Sequence, residues 1–501
     1  MVFVYIAAMN HHKVAIIGAG ISGLAAAQLL SEKNVDFIVL EARDRVGGRI
    51  QTCREGLTPY DLGASWAHDT LTNPLFDKIL NELDGAEKDR YGLYYDDQRP
   101  LYFGSKVGPY YLDIHKIEQV VKELEKYIEL EYFEDIDKSD VSLYEIVVQY
   151  LKKQGRMLTE EQVLYAPQLV RHLELWHGIG WKEMSSKFGL VDNVGRNCLF
   201  KEGYDKVVTD IVSSLDENRL IKEAIVTKID RSKPSIRIEL SQGSEITADW
   251  IICTIPQSIL QLKSGEKGAI EWVPPLPNRI KESLGNMSWG KLGKIIFEFD
   301  EPWWGHHNVD RFVALADPDP YLVSFWEALK SKATLNPSTH INQPKALPDS
   351  WDFPVLMLNL QKIADVPALL CFTQGDLTEY LERNPEQAWD YMRPIITKLA
   401  HHSLEGPSSL DAENIKPTKT FVSNWTIDPF SRGSYAACKP GNDPTDLVIQ
   451  LSRGMNNVRF AGEHTILDGA GAVHGAWMSG RREARNILIK EGIIEGEIEE
   501  W

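Results

Sequence analysis

What this chain lacks narrows its function before any motif is read. It has no CxxC pair and no His/Cys spacing of a zinc site. Its five cysteines, Cys53, Cys198, Cys253, Cys371 and Cys438, are odd in number and scattered. That pattern argues against a disulfide-stapled scaffold and a thiolate metal centre, and it suggests a reducing compartment. Basic excess is missing too: 72 acids against 54 bases leave a formal charge of -18. Nucleic acid and anionic membrane are therefore poor partners, whereas a cationic substrate is permitted, although surface acids serve solubility alone just as well. No apolar run is long enough to span a bilayer. The opening MVFVYIAA is short and lacks the basic flank of a signal peptide, so it reads as an extra strand or a frayed end. The final EGEIEEW carries no peroxisomal tripeptide or lipid signal, and the sequons at Asn286 and Asn424 have no secretory context. A cytoplasmic protein is the expectation. There is no internal repeat and no low-complexity segment.

What is present begins with burial. The chain has 501 residues, 43% of them hydrophobic, enough for more than one core, and two domains are expected. From Val14 the text reads VAIIGAGISGLAAAQLLSEKNVDFIVLEARDRVGGR. An apolar strand feeds Gly18, Gly20 and Gly23 in GxGxxG spacing, a helix begins near Ile21, and a second apolar run from Phe37 to Leu40 ends on the acid Glu41. This is the pattern of a dinucleotide site. The glycines permit a tight turn and close approach to a pyrophosphate, the helix N-terminus faces negative charge, and the acid accepts ribose hydroxyls. Spacing alone leaves NAD and FAD as comparable readings. Arg43, Arg45, Gly47, Gly48 and Arg49 follow, and a guanidinium fork can hold two diphosphate oxygens at once.

Further along, helical spacing from Leu112 to Leu190 predicts a mainly helical insertion, and YDKVVTDIVSSL a further amphipathic helix. AIVTKID, IRIEL and EITADWIIC read as strands returning to the cofactor-binding domain. The proline-rich EWVPPLPNR reads as a crossing between domains, and KLGKIIFEF as a strand beyond it. Residues 306 to 350 show little periodicity and read as surface connections. Helices are expected again at LTEYLERN and around Trp389, with a return to the cofactor-binding domain near Lys416.

Three long motifs carry a resemblance. DLGASWAHDTLTNPL from Asp61, SNWTIDPFSRGSYAACKPG from Ser423 and RFAGEHT with GAVHGAWMSGRREA from Arg459 resemble the flavin amine oxidase family, in its fungal polyamine oxidase branch, and the likeness runs over nearly the whole chain. It implies an α/β fold: a Rossmann-like FAD-binding domain of residues 1–90, 197–275 and 416–501, and a discontinuous mixed α+β substrate-binding domain of residues 91–196 and 276–415. It implies FAD held non-covalently, since no cysteine stands just before Trp425 or within SRGSY. The cofactor contacts it implies are Gly18, Gly20, Ser22, Gly23, Glu41, Ala42, Arg43, Gly48, Arg49, Gly63, Ala64, Ser65, Trp66, Trp425, Gly462, Glu463, Gly471, Ala472 and Val473. A last helix opening near Ala472 would aim its amides at the flavin pyrimidine.

For catalysis the resemblance points to Lys294 and His68. Read alone, Lys294 in an apolar strand either snorkels to solvent or serves a buried site. The family position implies that it holds a water near flavin N5. His68 follows Ala67, where close relatives have a second histidine, so this chain departs from the pattern there. For substrate binding the resemblance suggests Asp96 or Asp97, Trp176, Asn197, Trp425, Tyr435 and His474, the last standing where relatives often have an aromatic residue. Carboxylates along an apolar channel suit amines separated by methylenes. The activity implied is oxidation of spermine, or of N1-acetylspermine, with oxygen, to spermidine, an aminoaldehyde and hydrogen peroxide. A flavoprotein that mainly binds a hydrophobic ligand such as a steroid, or an amine oxidase of other specificity, is the alternative. No nucleic acid, membrane or metal is expected, and the chain is expected as a monomer or homodimer.

Overall fold

The computed structural model describes residues 11–82, 90–95, 100–108, 112–135, 137–190, 193–306, 308–331, 348–401 and 414–499. The opening MVFVYIAA and both Asp96 and Asp97 lie outside them.

A mixed α/β architecture is built on two large sheets. In the first, His11–Ile17 lies between Phe37–Leu40 and Glu245–Cys253, parallel to both. Leu220–Ile221 extends one side, Val458–Phe460 pairs with Glu245–Cys253, and Ile236–Leu240, Val226–Asp230 and Glu271–Val273 complete the other. The run Val14–Ile17 is apolar throughout because both faces of its strand are covered. Val14 and Ile16 pack with the helix Ile21–Glu32, while Ala15 and Ile17 pack on the opposite core with Ile38 and Leu40. Helix Ile21–Glu32 lies in turn against Val473–Lys490. A Cβ at Gly480 would come within 1.9 Å of the Ser22 carbonyl oxygen, so this contact requires glycine.

The second sheet runs Lys419–Val422, Leu292–Glu298, Ala368–Gln374, Val355–Asn359, Arg311–Ala314 and Leu101–Phe103. Two expectations change here. The strand Lys419–Val422 pairs with Leu292–Glu298, so a domain boundary at 416 places in the cofactor-binding domain a strand that belongs to this sheet. Residues 306–350 are not all connection: Arg311–Ala314 is an internal strand, and Pro320–Ser331 is a helix whose first turn is held by the Asp319 side chain at 2.9 Å from the Tyr321 amide. Both are short apolar stretches whose period is masked by flanking Asp-Pro pairs.

The expected helical insertion forms as Ile114–Glu134, Leu143–Gln154, Glu160–Val170 and Glu174–His177. Capping boxes start two of these helices, Ser142 with Glu145 and Thr159 with Gln162. The insertion packs its apolar face against Val313, Leu322 and Phe325. It thereby roofs the second sheet. No helix of the described residues is long and apolar enough to cross a membrane.

Candidate active site

One cavity of about 980 Å³ runs from the glycine turn of the first sheet to the inner face of the helical insertion. At its first end the backbone forms a cradle. Gly18 has φ +104°, and a Cβ there would lie 2.6 Å from Thr254 Oγ1. Gly48, at φ +59°, approaches Gly20 so closely that a Cβ would meet its Cα at 3.1 Å. The two glycine segments are locked together by the Gly47 amide donating to the Ala19 carbonyl at 2.8 Å. Gly23 does not line the cavity: a Cβ would sit 2.0 Å from the Gly18 carbonyl oxygen, so its place is to let helix and turn touch. The Glu41 carboxylate accepts from the Ala19 amide at 2.7 Å and the Arg43 amide at 2.9 Å, and Glu41 and Ala42 line the wall.

Two helices open on this cavity without a side-chain cap. Ile21–Glu32 starts at Gly20 and Val473–Lys490 at Ala472, and neither has an acid in its first turn. Their first amides are unsatisfied donors with a positive dipole end, which fits an anionic diphosphate at one and an electron-rich ring edge at the other. Gly471, Ala472 and Val473 line the wall there. Gly63, Ala64 and Ser65 line it beside Arg49, whose backbone oxygen would lie 1.9 Å from a Cβ at Gly63. Arg49 donates to Glu463 Oε1 at 2.9 Å and to the Ser434 carbonyl at 2.8 Å, which joins the loops carrying Gly462 and Tyr435. Ser22 lines the cavity with its hydroxyl 3.3 Å from that of Ser479. Arg43 lines the cavity next to Ala42. Its guanidinium donates to Asp428 at 2.8 and 3.1 Å and lies 5.5 Å from the centroid of the Phe430 ring.

The middle of the cavity belongs to Lys294. Its strand is internal to the second sheet and its side chain is buried, so the snorkelling alternative is removed. Nζ donates to the Asp61 carbonyl at 2.9 Å, the Gly63 carbonyl at 2.5 Å and the Ser65 hydroxyl. Three acceptors match the three N–H bonds of an ammonium. The carbonyls of the turn from Asp61 to Ser65 take those bonds, and only the Ser65 hydroxyl can turn away. Burial pushes the Lys294 ammonium below its ordinary range, against the upward pull of the Asp61 charge. Burial also raises the Asp61 carboxyl, opposed by the charge of Lys294 and by bonds from Thr52 and the Tyr204 amide. The rings of Trp66 and Phe372 flank Nζ, each with its centroid 5.4 Å away.

His68 follows the strand Trp66–Ala67, which pairs with Cys198–Phe200 and so brings Asn197 alongside. His68 Nδ1 donates to Asn197 Oδ1 at 2.9 Å, which leaves Nε2 as a hydrogen-bond acceptor on the cavity wall. Burial pushes this imidazole below its ordinary range. The Asn197 bond and the Asp69 charge raise it, and the Lys294 charge lowers it. Trp176 stands edge-on to His68 with centroids 6.3 Å apart, and its carbonyl accepts the Tyr435 hydroxyl. Trp425 is buried, donating from Nε1 to the Leu62 carbonyl at 2.7 Å. His474 departs from expectation: it does not line the cavity. It is buried beneath the Gly469 turn with Nε2 3.6 Å from Asp69 Oδ2. The chain turns back at Gly469, and the imidazole fills the space that turn leaves.

Three sets of residues were missed in the sequence. Glu382, from the helix Gly375–Arg383, is a buried carboxylate that accepts from the Ser423 hydroxyl at 2.6 Å and from the Trp425 and Thr426 amides at 3.0 and 2.7 Å. It fixes the loop that carries Trp425. Glu118, Lys122 and Glu125, spaced along one face of Ile114–Glu134, line the far end of the cavity. Asp69 lines the wall beside His68. The first two sets lie on elements whose pattern reads only as amphipathic helix; Asp69 lies inside a motif read for its histidine.

A family model for flavin containing amine oxidoreductases matches residues 21–488. The chain belongs to that family. Its cofactor is FAD, held non-covalently, and the uncapped helix ends and glycine cradle described above fit that group. Members of the flavin amine oxidase family are oxidoreductases acting on amines, and that class of chemistry is this chain's. Among relatives, the chain is 36% identical to a protein of Candida albicans named corticosteroid-binding protein, with 97% of each chain covered. It is 28% identical to polyamine oxidase 4 of Oryza sativa subsp. japonica, over 96% of this chain and 90% of that one. A solved structure of a redesigned putrescine oxidase has the same fold, with a TM-score of 0.67, 18% identity, and 96% of this chain and all of that chain covered.

Proposed function

We propose that this flavin amine oxidase oxidises a polyamine, spermine in the first place and N1-acetylspermine as a further substrate, at a secondary amine. The products are spermidine, 3-aminopropanal or its acetylated form, and hydrogen peroxide. The observation that carries this reading is one continuous cavity, which joins the FAD cradle to the Lys294 and His68 walls and continues as a mostly apolar passage to Glu118 and Glu125. A methylene chain fits such a passage, and the carboxylates suit its ammonium groups. When bound, FAD would supply the acceptor for a hydride from the carbon beside the nitrogen, with oxygen as the final acceptor of the two electrons and water releasing the aldehyde from the imine.

The protein's task is to present that nitrogen neutral and in place. An alkylamine titrates near 10, so neutral presentation at pH 7.5 costs roughly 3 to 4 kcal/mol. The Nε2 acceptor of His68 and an apolar wall of Trp66, Trp176, Trp425 and Tyr435 offset this by holding the N–H and excluding water. Lys294, buried against Ser65, holds a positive charge or a proton next to the flavin site, where it assists reoxidation by oxygen. In this reading the chain divides as expected from its sequence, with Lys419–Val422 moved to the substrate-binding domain, and the protein acts in the cytoplasm.

A second reading has one specific support, the likeness to the corticosteroid-binding protein. A steroid held in the same apolar passage would use its shape and leave the amine chemistry idle. Mixing the flavoprotein anaerobically with spermine, N1-acetylspermine, spermidine and benzylamine separates the two. Bleaching of the flavin band near about 450 nm by spermine, with spermidine as product, supports oxidation. No bleaching by any amine, with a steroid shifting the band, supports the second reading.

A further inference from the structure

Asp69 has backbone φ +54°, a conformation that aspartate and asparagine tolerate and most residues do not. Its place is fixed from two sides. The carbonyl accepts the Thr72 amide at 2.8 Å, and Oδ1 accepts the Val194 amide at 2.7 Å. Among the described residues Oδ2 accepts no hydrogen bond. Its nearest ring nitrogen is His474 Nε2 at 3.6 Å, beyond bonding distance. Asp69 lines the cavity next to His68, four residues after the Ser65 that meets Lys294, so it lies within about 14 Å of it along the chain. Of the acids lining the cavity, Glu41 and Glu463 stand at the cofactor cradle, while Glu118 and Glu125 stand at the far end. Of these five, Asp69 is the one beside the imidazole that receives the reacting amine. His474 does not neutralise it, because burial pushes that imidazole below its ordinary range.

We infer that Asp69 is a specificity-determining residue whose Oδ2 receives an alkylammonium group of the substrate, the one next along the chain from the amine held at His68. This rests on the polyamine reading and deepens it: the preferred substrate carries a second positive charge a short methylene spacer from the reacting nitrogen. A carboxylate with one oxygen tied to a backbone amide and the other open cannot swing away, so it selects position as well as charge. Val194 and the αL turn commit one oxygen of the aspartate to the loop, and the remaining oxygen does the recognition.

The test uses the FAD-loaded enzyme and Asp69→Asn, which keeps both the αL preference and an acceptor for Val194. Ligand binding is read from perturbation of the flavin spectrum with 1,4-diaminobutane and with 1-butanol, and anaerobic flavin reduction is followed with spermine. In D69N the diamine should bind about ten- to a hundredfold more weakly, butanol within about twofold of its original affinity, and the spermine concentration for half-maximal reduction should rise in parallel with the limiting rate little changed. Equal weakening of diamine and butanol, or no weakening of either, would overturn the assignment. Failure of spermine to reduce the original enzyme would instead reject the oxidase reading, and the diamine comparison would still decide Asp69.

Discussion

Lys294 meets Asp61 through the backbone: Nζ lies 2.9 Å from the Asp61 carbonyl oxygen, while the Asp61 carboxylate turns to Thr52 Oγ1 at 2.5 Å and the Tyr204 amide at 3.2 Å. The two side chains share one buried region and oppose each other's shift. Burial favours neutral lysine and the Asp61 charge favours ammonium, so Asp61→Asn removes the upward pull and the lysine ionisation moves to lower pH. The groups facing Lys294 that carry or exchange charge are Asp61 and His68, with Asp205 acting on Asp61. The pH profile of flavin reoxidation by oxygen should shift downward in D61N. Lys294→Met should slow reoxidation about a hundredfold or more while FAD stays bound, as one fixed donor in such a site is worth that much. An unchanged profile in D61N would separate Asp61 from the lysine's charge.

The His68 imidazole is held below its ordinary pKa by burial, so it is neutral at pH 7 and gains a proton only at lower pH. The amine substrate loses its proton near 10. Flavin reduction by spermine should therefore rise with pH through about 7 to 9, with no inflection from His68 near its ordinary value. Asn197→Leu removes the partner of Nδ1 and frees the ring tautomer. The reduction rate should fall about tenfold or more, by analogy with loss of the group that orients a working imidazole. Stopped-flow reduction across this pH range checks both.

Glu382 is a buried acid with four donors of one loop on it, the hydroxyls of Ser423 and Thr426 and the amides of Trp425 and Thr426. Glu382→Ala leaves those donors unsatisfied in a dry place and should cost about 3 kcal/mol or more. Glu382→Gln, which keeps one acceptor, should lie between. Thermal unfolding of the FAD-loaded variants gives the order, and loss of FAD from E382A on dilution would show that the Trp425 loop helps to retain it.

At Gly23 a methyl group would lie 2.0 Å from the Gly18 carbonyl oxygen, which is backbone and cannot move aside cheaply. Gly23→Ala should purify without flavin, or with far less than one FAD per chain, read from the ratio of flavin to protein absorbance. Full flavin content in G23A would contradict the close packing of turn and helix.

The cofactor half of the site was legible because its chemistry is local. A strand, a glycine turn, a helix and a terminal acid lie within one stretch of chain, and the structure places Gly18, Gly20 and Glu41 around one end of the cavity. The substrate half is assembled by tertiary pairing. Lys294 is internal only because Ala368–Gln374 and Lys419–Val422 flank its strand, far apart in sequence. The bond of Arg43 to Asp428 is invisible in its own segment, and His474 was read as a cavity residue because nothing there shows the Gly469 turn covering it. Arg311–Ala314 escaped notice for a different reason. A short buried strand has no alternation to read, and its neighbours carry proline and charge.

Whether an amine is consumed decides between oxidase and binding protein. Aerobic turnover of spermine by the FAD-loaded protein, with spermidine, aminoaldehyde and peroxide quantified together, tests it most directly. Equal amounts of the three, abolished or strongly slowed in Lys294→Met, are the expected result. A protein that keeps its FAD yet forms no peroxide and no spermidine from spermine, N1-acetylspermine or spermidine would contradict it.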